Sequence, residues 1–182
     1  MTWTGPPPLY GPDFSSYPAD EVTWLLTDLS TVRLEAPVAQ REAAIQAGTA
    51  HYAESLPVEY QPSPEYLELF HATLAESAHR VAHAVGLVTE RVLAVRREPV
   101  LVSLARAGTP IGILMRRWAS LVHGRRLPHY TISIVRGRGI DQVALRHLAR
   151  HHDPAEVMFV DGWTGKGAIC HELTQALPAG SG

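Results

Sequence analysis

The stretch that decides the fold of this 182-residue chain is Val157-Met158-Phe159-Val160-Asp161-Gly162-Trp163-Thr164-Gly165-Lys166-Gly167-Ala168. An apolar run ends in an acid, a glycine-rich turn follows, and an apolar segment typical of a helix then begins. This order predicts a buried strand with a carboxylate at its tip, followed by a helix N-terminus. The free amides of a helix N-terminus can bind phosphate. The segment therefore suits a ligand that carries both hydroxyls and a phosphate.

Two segments upstream also combine a predicted strand with a loop rich in glycine or arginine. Residues 99–104 predict a buried strand that ends in the turn 105–110, and residues 130–135 predict another, followed by the loop 136–141. A helix is expected after each loop. Strands that alternate with helices indicate a parallel sheet, in which ligands bind outside the carboxyl ends of the strands. We expect the three loops to converge on one crevice.

Sequence patterns in the first half of the chain predict an extended arm followed by helices. Residues 1–18 are rich in proline, glycine and tyrosine and predict an extended arm. Capping residues and apolar spacing predict helices over 19–29, 37–47 and 64 to about 95. The expected architecture is one α/β domain over 19–182, with a helical part over about 19–97 and a sheet part over about 98–177. Three strands make a small sheet, so the domain is expected to be incomplete at its C-terminus.

Composition narrows the function classes. The chain is 46% hydrophobic, enough for one core, and its net charge of -2 disfavours binding nucleic acid through bulk charge. Cys170 stands alone, so no internal disulfide can form and a reducing, cytoplasmic location is expected. No apolar run approaches the roughly 20 residues that span a bilayer, and no signal peptide is recognisable. We expect no membrane partner; a homodimer is left open.

The loop after Asp161 supplies the main binding prediction. Asp161 would orient hydroxyls, and phosphate would be held by the turn that follows it, namely Gly162, Thr164, Gly165, Lys166 and Gly167. The spacing matches neither a Walker A loop nor a dinucleotide-binding turn. An ordinary strand–turn–helix connection with a capping aspartate is the alternative.

Other polar residues are weaker candidates. Arg106, with Ala107 and Gly108, could hold a second anionic group, and Arg136 and Arg138 could close over it. The alternative in each case is a solvated surface cation. Three further residues, in the long loop at 48–63 and in the glycine-rich turn, are predicted to contact the substrate: His51, Tyr52 and Trp163.

Cys170 follows the glycine-rich turn and falls inside the last predicted helix. No neighbouring residue would hold it as a thiolate, so we interpret it as a small packing residue rather than a nucleophile. We also expect no metal site built from protein ligands, because no carboxylate cluster is present.

Taken together, the segments 104–108, 136–141 and 157–168 resemble the corresponding loops of type I phosphoribosyltransferases. In that family the loop matched by 104–108 commonly contains a non-proline cis peptide. The motif 160–167 and the Ala-His-Tyr loop upstream are similar, more narrowly, to phosphoribosyltransferase-like proteins of bacterial tellurite-resistance and stress operons. Some of these carry the label StiP and are described as cysteine proteases.

The resemblance implies a type I phosphoribosyltransferase-like topology and a specific activity. Phosphoribose would pass from phosphoribosyl pyrophosphate to a nitrogenous base, with Mg²⁺ bound mainly by the ligand and with pyrophosphate released. Asp161 and Arg106 would be the catalytic residues. Members of the family usually have a second acid where this chain has Gly162. That departure keeps a non-catalytic phosphoribosyl or nucleotide sensor as an alternative, with a cysteine protease acting through Cys170 as a third.

Overall fold

The computed structural model describes residues 5–32, 34–50, 56–58, 60–163 and 165–177. In chain order its elements are β1 Thr23–Leu25, β2 Glu35–Ala36, α1 Val38–Gln46, β3 Leu56–Pro57, α2 Pro64–Val95, β4 Val100–Ala105, α3 Gly108–His123, β5 His129–Val135, β6 Gly139–Ile140, α4 Gln142–His151, β7 Val157–Val160 and α5 Ala168–Ala176. Contacts divide the chain into one unit of residues 1–27 and 79–182 and another of residues 28–78. The predicted domain boundaries stay predictions.

The larger unit is built on a mainly parallel sheet. Its strands lie in the order β1-β5-β4-β7, every neighbouring pair is parallel, and β6 pairs antiparallel with β5. The predicted mixed α/β class with a parallel sheet is therefore confirmed. β4 is central, with the pattern expected of a strand covered on both faces: Val100, Leu101, Val102 and Leu104 are all buried.

Alternation along β4 divides the core of this unit into two layers. Val102 and Leu104 pack on the side of α4, where Leu148 and the partly buried Ile169 and Leu173 of α5 complete one cluster. Leu101 faces the other way and packs with Val92 of α2 and residues of α3. The side chains of successive strand residues point to opposite faces, so one strand serves both layers.

Local signals account for several element boundaries. The Asp141 carboxylate accepts hydrogen bonds from the amides of Val143 and Ala144 and caps α4 as predicted. Gly124 ends α3 in the left-handed conformation, with φ 64°. Ser63 accepts a hydrogen bond from the Tyr66 amide at 3.3 Å, where α2 begins. The helices predicted over 37–47 and from 64 to about 95 are both present.

The helix predicted over residues 19–29 is wrong. Thr23–Leu25 form β1, which pairs with β5 in the register Thr23↔Tyr130 and Leu25↔Ile132. Leu9 in the proline-rich arm exchanges two backbone hydrogen bonds with Trp24. The strand is three residues long, so its local pattern carries little information and the pairing with β5 decides its conformation.

The smaller unit contains α1, the first part of α2, and the parallel pair β2 and β3. Among the residues of this unit that the structure describes, none is buried. Across all the described residues, no helix is long and apolar enough to cross a membrane.

Candidate functional site

The loops after β4 and β7 meet at the carboxyl edge of the sheet. The two strands are neighbours, with Ser103 opposite Val160, so their following loops start side by side. A Cβ on Gly108 would overlap the carbonyl oxygen of Val160, and one on Gly162 would overlap the carbonyl oxygen of Ala107. Only glycine permits so close a contact between two backbones. The structure thus brings together two of the three loops singled out in the sequence.

Asp161 closes the turn that follows β7. Its Oδ1 accepts a hydrogen bond from the Trp163 amide at 3.0 Å, so the carboxylate fixes the local turn. Its Oδ2 is buried and has no hydrogen-bond partner among the described residues. Oδ1 thus has a structural role, whereas Oδ2 is a hydrogen-bond acceptor without a partner among the described residues.

The start of α5 presents amides without a side-chain cap. Gly167 is the N-cap, with φ 68°, and no side chain accepts from the first turn. Gly165 and Lys166 are exposed beside it, and Trp163 is 78% exposed. Thr164 lies outside the described residues.

Arg106 lies in the loop after β4, at the carboxyl edge of the sheet, and its backbone takes part in the structure of that loop. A cis peptide links Ala105 to Arg106, at the position where the family resemblance leads us to expect one. The Arg106 side chain is exposed, and its carbonyl oxygen accepts a hydrogen bond from the Thr109 amide at 3.1 Å. Its predicted role in anion binding stays a prediction.

The loop predicted over residues 136–141 contains a short strand that the sequence analysis did not predict, β6, and the roles predicted for Arg136 and Arg138 stay predictions. Residues 136–138 form the tight turn of a hairpin, because β6 pairs with β5 in the register Val135↔Gly139. The Gly137 amide donates a hydrogen bond of 2.6 Å to Glu172 of α5, which ties the turn to that helix. Arg136 and Arg138 are exposed on this turn.

His51 and Tyr52 lie outside the described residues.

Two cavities are lined by other parts of the larger unit. One is an apolar groove of about 380 Å³ between α4, β7 and the end of α5. The other lies at the opposite edge of the sheet. In the described part of the chain, no three His, Cys, Asp or Glu residues are grouped closely enough to hold a metal ion.

A serine–histidine pair that the sequence reasoning missed lies between β4, β5 and α3. Ser103 Oγ is 2.8 Å from His129 Nε2, and His129 Nδ1 donates to the Glu21 carbonyl oxygen at 2.9 Å. Both residues are buried, with exposures of 0% and 4%. Gly112 packs against them so closely that a Cβ there would overlap both side chains. The pair resembles a nucleophile and its base, but the Ser103 hydroxyl is fully buried and not accessible to a substrate.

Burial lowers the pKa of His129 to about 4, although the hydrogen bond to Glu21 acts in the opposite direction. The neutral ring donates from Nδ1, because a carbonyl oxygen can only accept. The Ser103 hydroxyl donates its single proton toward the Gly108 carbonyl oxygen at 3.0 Å, and Nε2 of the neutral ring is a second acceptor beside it. The pair therefore supports the loop at Gly108.

Cys170 has the accessibility that Ser103 lacks. It is the third residue of α5 and is exposed, while Ile169 and Leu173 carry the packing of that helix. The interpretation of Cys170 as a packing residue is wrong. The spacing of Ile169, Leu173 and Ala176 at i, i+4 and i+7 could have shown this, because it places Cys170 beside the core-facing stripe. Its thiol lies in the first helical turn, where negative charge is favoured.

Comparison with known proteins identifies the family. Residues 15–181 match the family model described as "Tellurite-like stress resistance cysteine protease StiP". The chain belongs to the StiP family. It is 40% identical over 163 residues to the protein named "Cysteine protease StiP" of Acinetobacter baylyi. The match covers 89% of this chain and 42% of that protein, so the chain spans less than half the length of its StiP relative. No solved structure matches.

This membership corrects the predicted activity. The family is described as a cysteine protease, a hydrolase, so the prediction of a phosphoribosyltransferase, with phosphoribosyl pyrophosphate as its ligand, is wrong. The alternative of a non-catalytic phosphoribosyl sensor gains no support from the same findings. The resemblance to stress-resistance proteins is confirmed at the level of the StiP family. The roles assigned to the residues of the two loops and to Mg²⁺ stay untested predictions.

Proposed function

We propose that this chain is the part of a StiP-type stress-resistance hydrolase that carries the nucleophile, and that the nucleophile is Cys170. The observation that carries the proposal is the position of the thiol. It is the one cysteine in the sequence, it is exposed, and it lies in the first turn of a helix. That helix begins at the carboxyl edge of a parallel sheet, where sheets of this class bind ligands.

In the proposed reaction, the Cys170 sulfur attacks the carbonyl carbon of a peptide bond. The bond to the amide nitrogen breaks, the amine leaves with a proton, and a thioester remains on the enzyme. Water then attacks the thioester carbonyl, which releases the acid and restores the thiol. The uncapped amides at the start of α5 are donors suited to negative charge that develops in these steps.

Such a reaction needs a base for the thiol proton. In the described residues no histidine ring is hydrogen bonded to Cys170, and His171 follows it directly in α5, where consecutive residues do not face each other. The Glu172 carboxylate already accepts a hydrogen bond from the Gly137 amide. His51, which the sequence analysis singled out as a candidate contact, and His171 are the two histidines to test as the base.

The experiment measures hydrolysis of a fluorogenic peptide library and alkylation of the thiol by iodoacetamide. We expect Cys170→Ala to abolish hydrolysis, and Gln175→Ala, a change at an exposed position of the same helix, to preserve it. We also expect Cys170 in the wild type to be alkylated faster than glutathione at the same pH. Hydrolysis that survives in Cys170→Ala would overturn the proposal.

We propose a type I phosphoribosyltransferase-like topology as a statement about architecture alone, supported by the order β1-β5-β4-β7 and the meeting of loops after β4 and β7. An experimental structure of the chain would test it.

We also propose a cytoplasmic location, because a lone cysteine leaves no internal disulfide to form. Cell fractionation would test that.

A further inference from the structure

The second cavity of the larger unit lies at the amino ends of β1 and β5, away from the loops that carry Asp161 and Cys170. It has a volume of about 250 Å³. Its polar lining comes from Asp20 before β1, Arg116 of α3, and Arg126 and His129 around the start of β5. All of these residues belong to one unit, so the cavity is a feature of that unit alone.

Arg116 is the central residue of this pocket. Its side chain is only 13% exposed, yet a guanidinium carries five N–H donors that need acceptors. Its Nε donates to the Leu127 carbonyl oxygen at 3.2 Å. The Asp20 carboxylate is 3.8 Å from Nη2, which is beyond hydrogen-bond distance. Among the described residues, the terminal nitrogens of Arg116 have no hydrogen-bond acceptor.

Arg126 adds a second guanidinium to the same pocket. It is exposed and has no hydrogen bond or ion pair with any residue in the described part of the chain. The neighbouring Arg125, by contrast, donates to the Arg97 carbonyl oxygen and lies 4.0 Å from Glu98. Two guanidinium groups therefore face one small cavity, opposed by a single carboxylate whose side chain is 74% exposed.

We propose that this pocket binds a small oxyanion, held by Arg116 and Arg126. Guanidinium groups present their donors in a planar fork that matches the paired oxygens of a phosphate or a carboxylate. The partial burial of Arg116 strengthens such a bond, since fewer waters compete for its donors. Asp20 weakens binding of a purely anionic ligand by repulsion at the mouth of the pocket. The inference is independent of the proposed hydrolase activity, because the pocket shares no residue with the loop and helix of Cys170.

Isothermal titration calorimetry on the full chain, with inorganic phosphate in one arm and malonate in the other, tests the proposal. We expect binding in one arm, and that arm identifies the source of the oxyanion as a phosphate or a carboxylate. Arg126→Gln should weaken binding about tenfold or more, because a charge-assisted hydrogen bond is lost. Arg126 is exposed, so the variant is expected to fold, which circular dichroism checks.

Two further variants make the test specific. Arg125→Gln is the matched control, because it removes a neighbouring positive charge that does not line the pocket, and it should leave the affinity within about twofold. Asp20→Asn should strengthen binding of the same anion. The proposal is overturned if neither anion binds the wild type at millimolar concentration, or if Arg125→Gln weakens binding as much as Arg126→Gln does. Weaker binding in Asp20→Asn would also overturn it, because it would indicate a ligand with a positive group.

Discussion

Cys170 lies exposed in the first turn of α5, whereas Ser103 is fully buried in β4 with His129 against its hydroxyl. Ser103 has the partner that a nucleophile needs but no route to a substrate. Cys170 is exposed, and among the described residues it has no histidine bonded to it. A short Oγ–Nε2 distance therefore identifies a polar pair inside the core, and accessibility decides which side chain can react.

The largest effect is expected where the loop at Gly108 contacts the backbone of β7. In Gly108→Ala the new methyl overlaps the Val160 carbonyl oxygen, which is backbone and cannot rotate away. We expect a loss of at least about 3 kcal/mol in the free energy of unfolding, measured by urea denaturation. Gly165→Ala is the matched control, because nothing lies within 4 Å of its new Cβ. Equal stability of the two variants would show that the loops do not contact each other as described.

The second effect concerns pH. The pKa of His129 is about 4 in the folded chain, against 6.5 for an unperturbed histidine, so between these values the unfolded state binds the extra proton. Stability should therefore rise with pH across this window, by up to about 3 kcal/mol, and this contribution should be constant above it. We expect His129→Gln to flatten the rise when urea denaturation is followed from pH 4 to pH 7. A rise of the same size in the variant would assign the dependence to other groups.

The smallest of the three effects separates a structural serine from a catalytic one. Ser103→Ala leaves His129 Nε2 and the Gly108 carbonyl oxygen without their hydroxyl partner inside the core. We expect a loss of about 1–3 kcal/mol in stability, and unchanged peptide hydrolysis per folded molecule. Ser120→Ala, at an exposed position of α3, should change neither quantity. If Ser103→Ala abolished hydrolysis without unfolding the chain, the buried pair would be reactive and the contrast with Cys170 would fail.

Most of the regular structure could be predicted from the sequence, because its signals are local. Apolar runs gave β4, β5 and β7, and Asp141 marked the start of α4. The short strand β1 could not be predicted, since its conformation depends on pairing with β5, about a hundred residues away in the chain. The strand β6 inside the loop predicted over 136–141 could not be predicted either, because it is only two residues long.

In the candidate site, too, some features could be predicted from the sequence and others could not. The acid and the glycines after β7 are visible in the sequence, since a strand followed by a glycine-rich turn has a recognisable order of residues. The activity implied by the resemblance of that order to phosphoribosyltransferases is wrong, because one loop pattern can serve unrelated chemistry. Comparison with the StiP family, and not the motif, corrected it.

The residues alone are enough to give the order of the longer elements α2, β4, α3, β5, α4, β7 and α5, the lone thiol, and the glycine-rich turn before α5, because hydrophobic periodicity and turn chemistry act over a few residues. Only the tertiary structure decided which polar groups meet. Ser103 and His129 are 26 residues apart, and Asp20 lies 96 residues before Arg116. Such pairs form when strand pairing and helix packing bring distant segments together, and no local pattern encodes that distance.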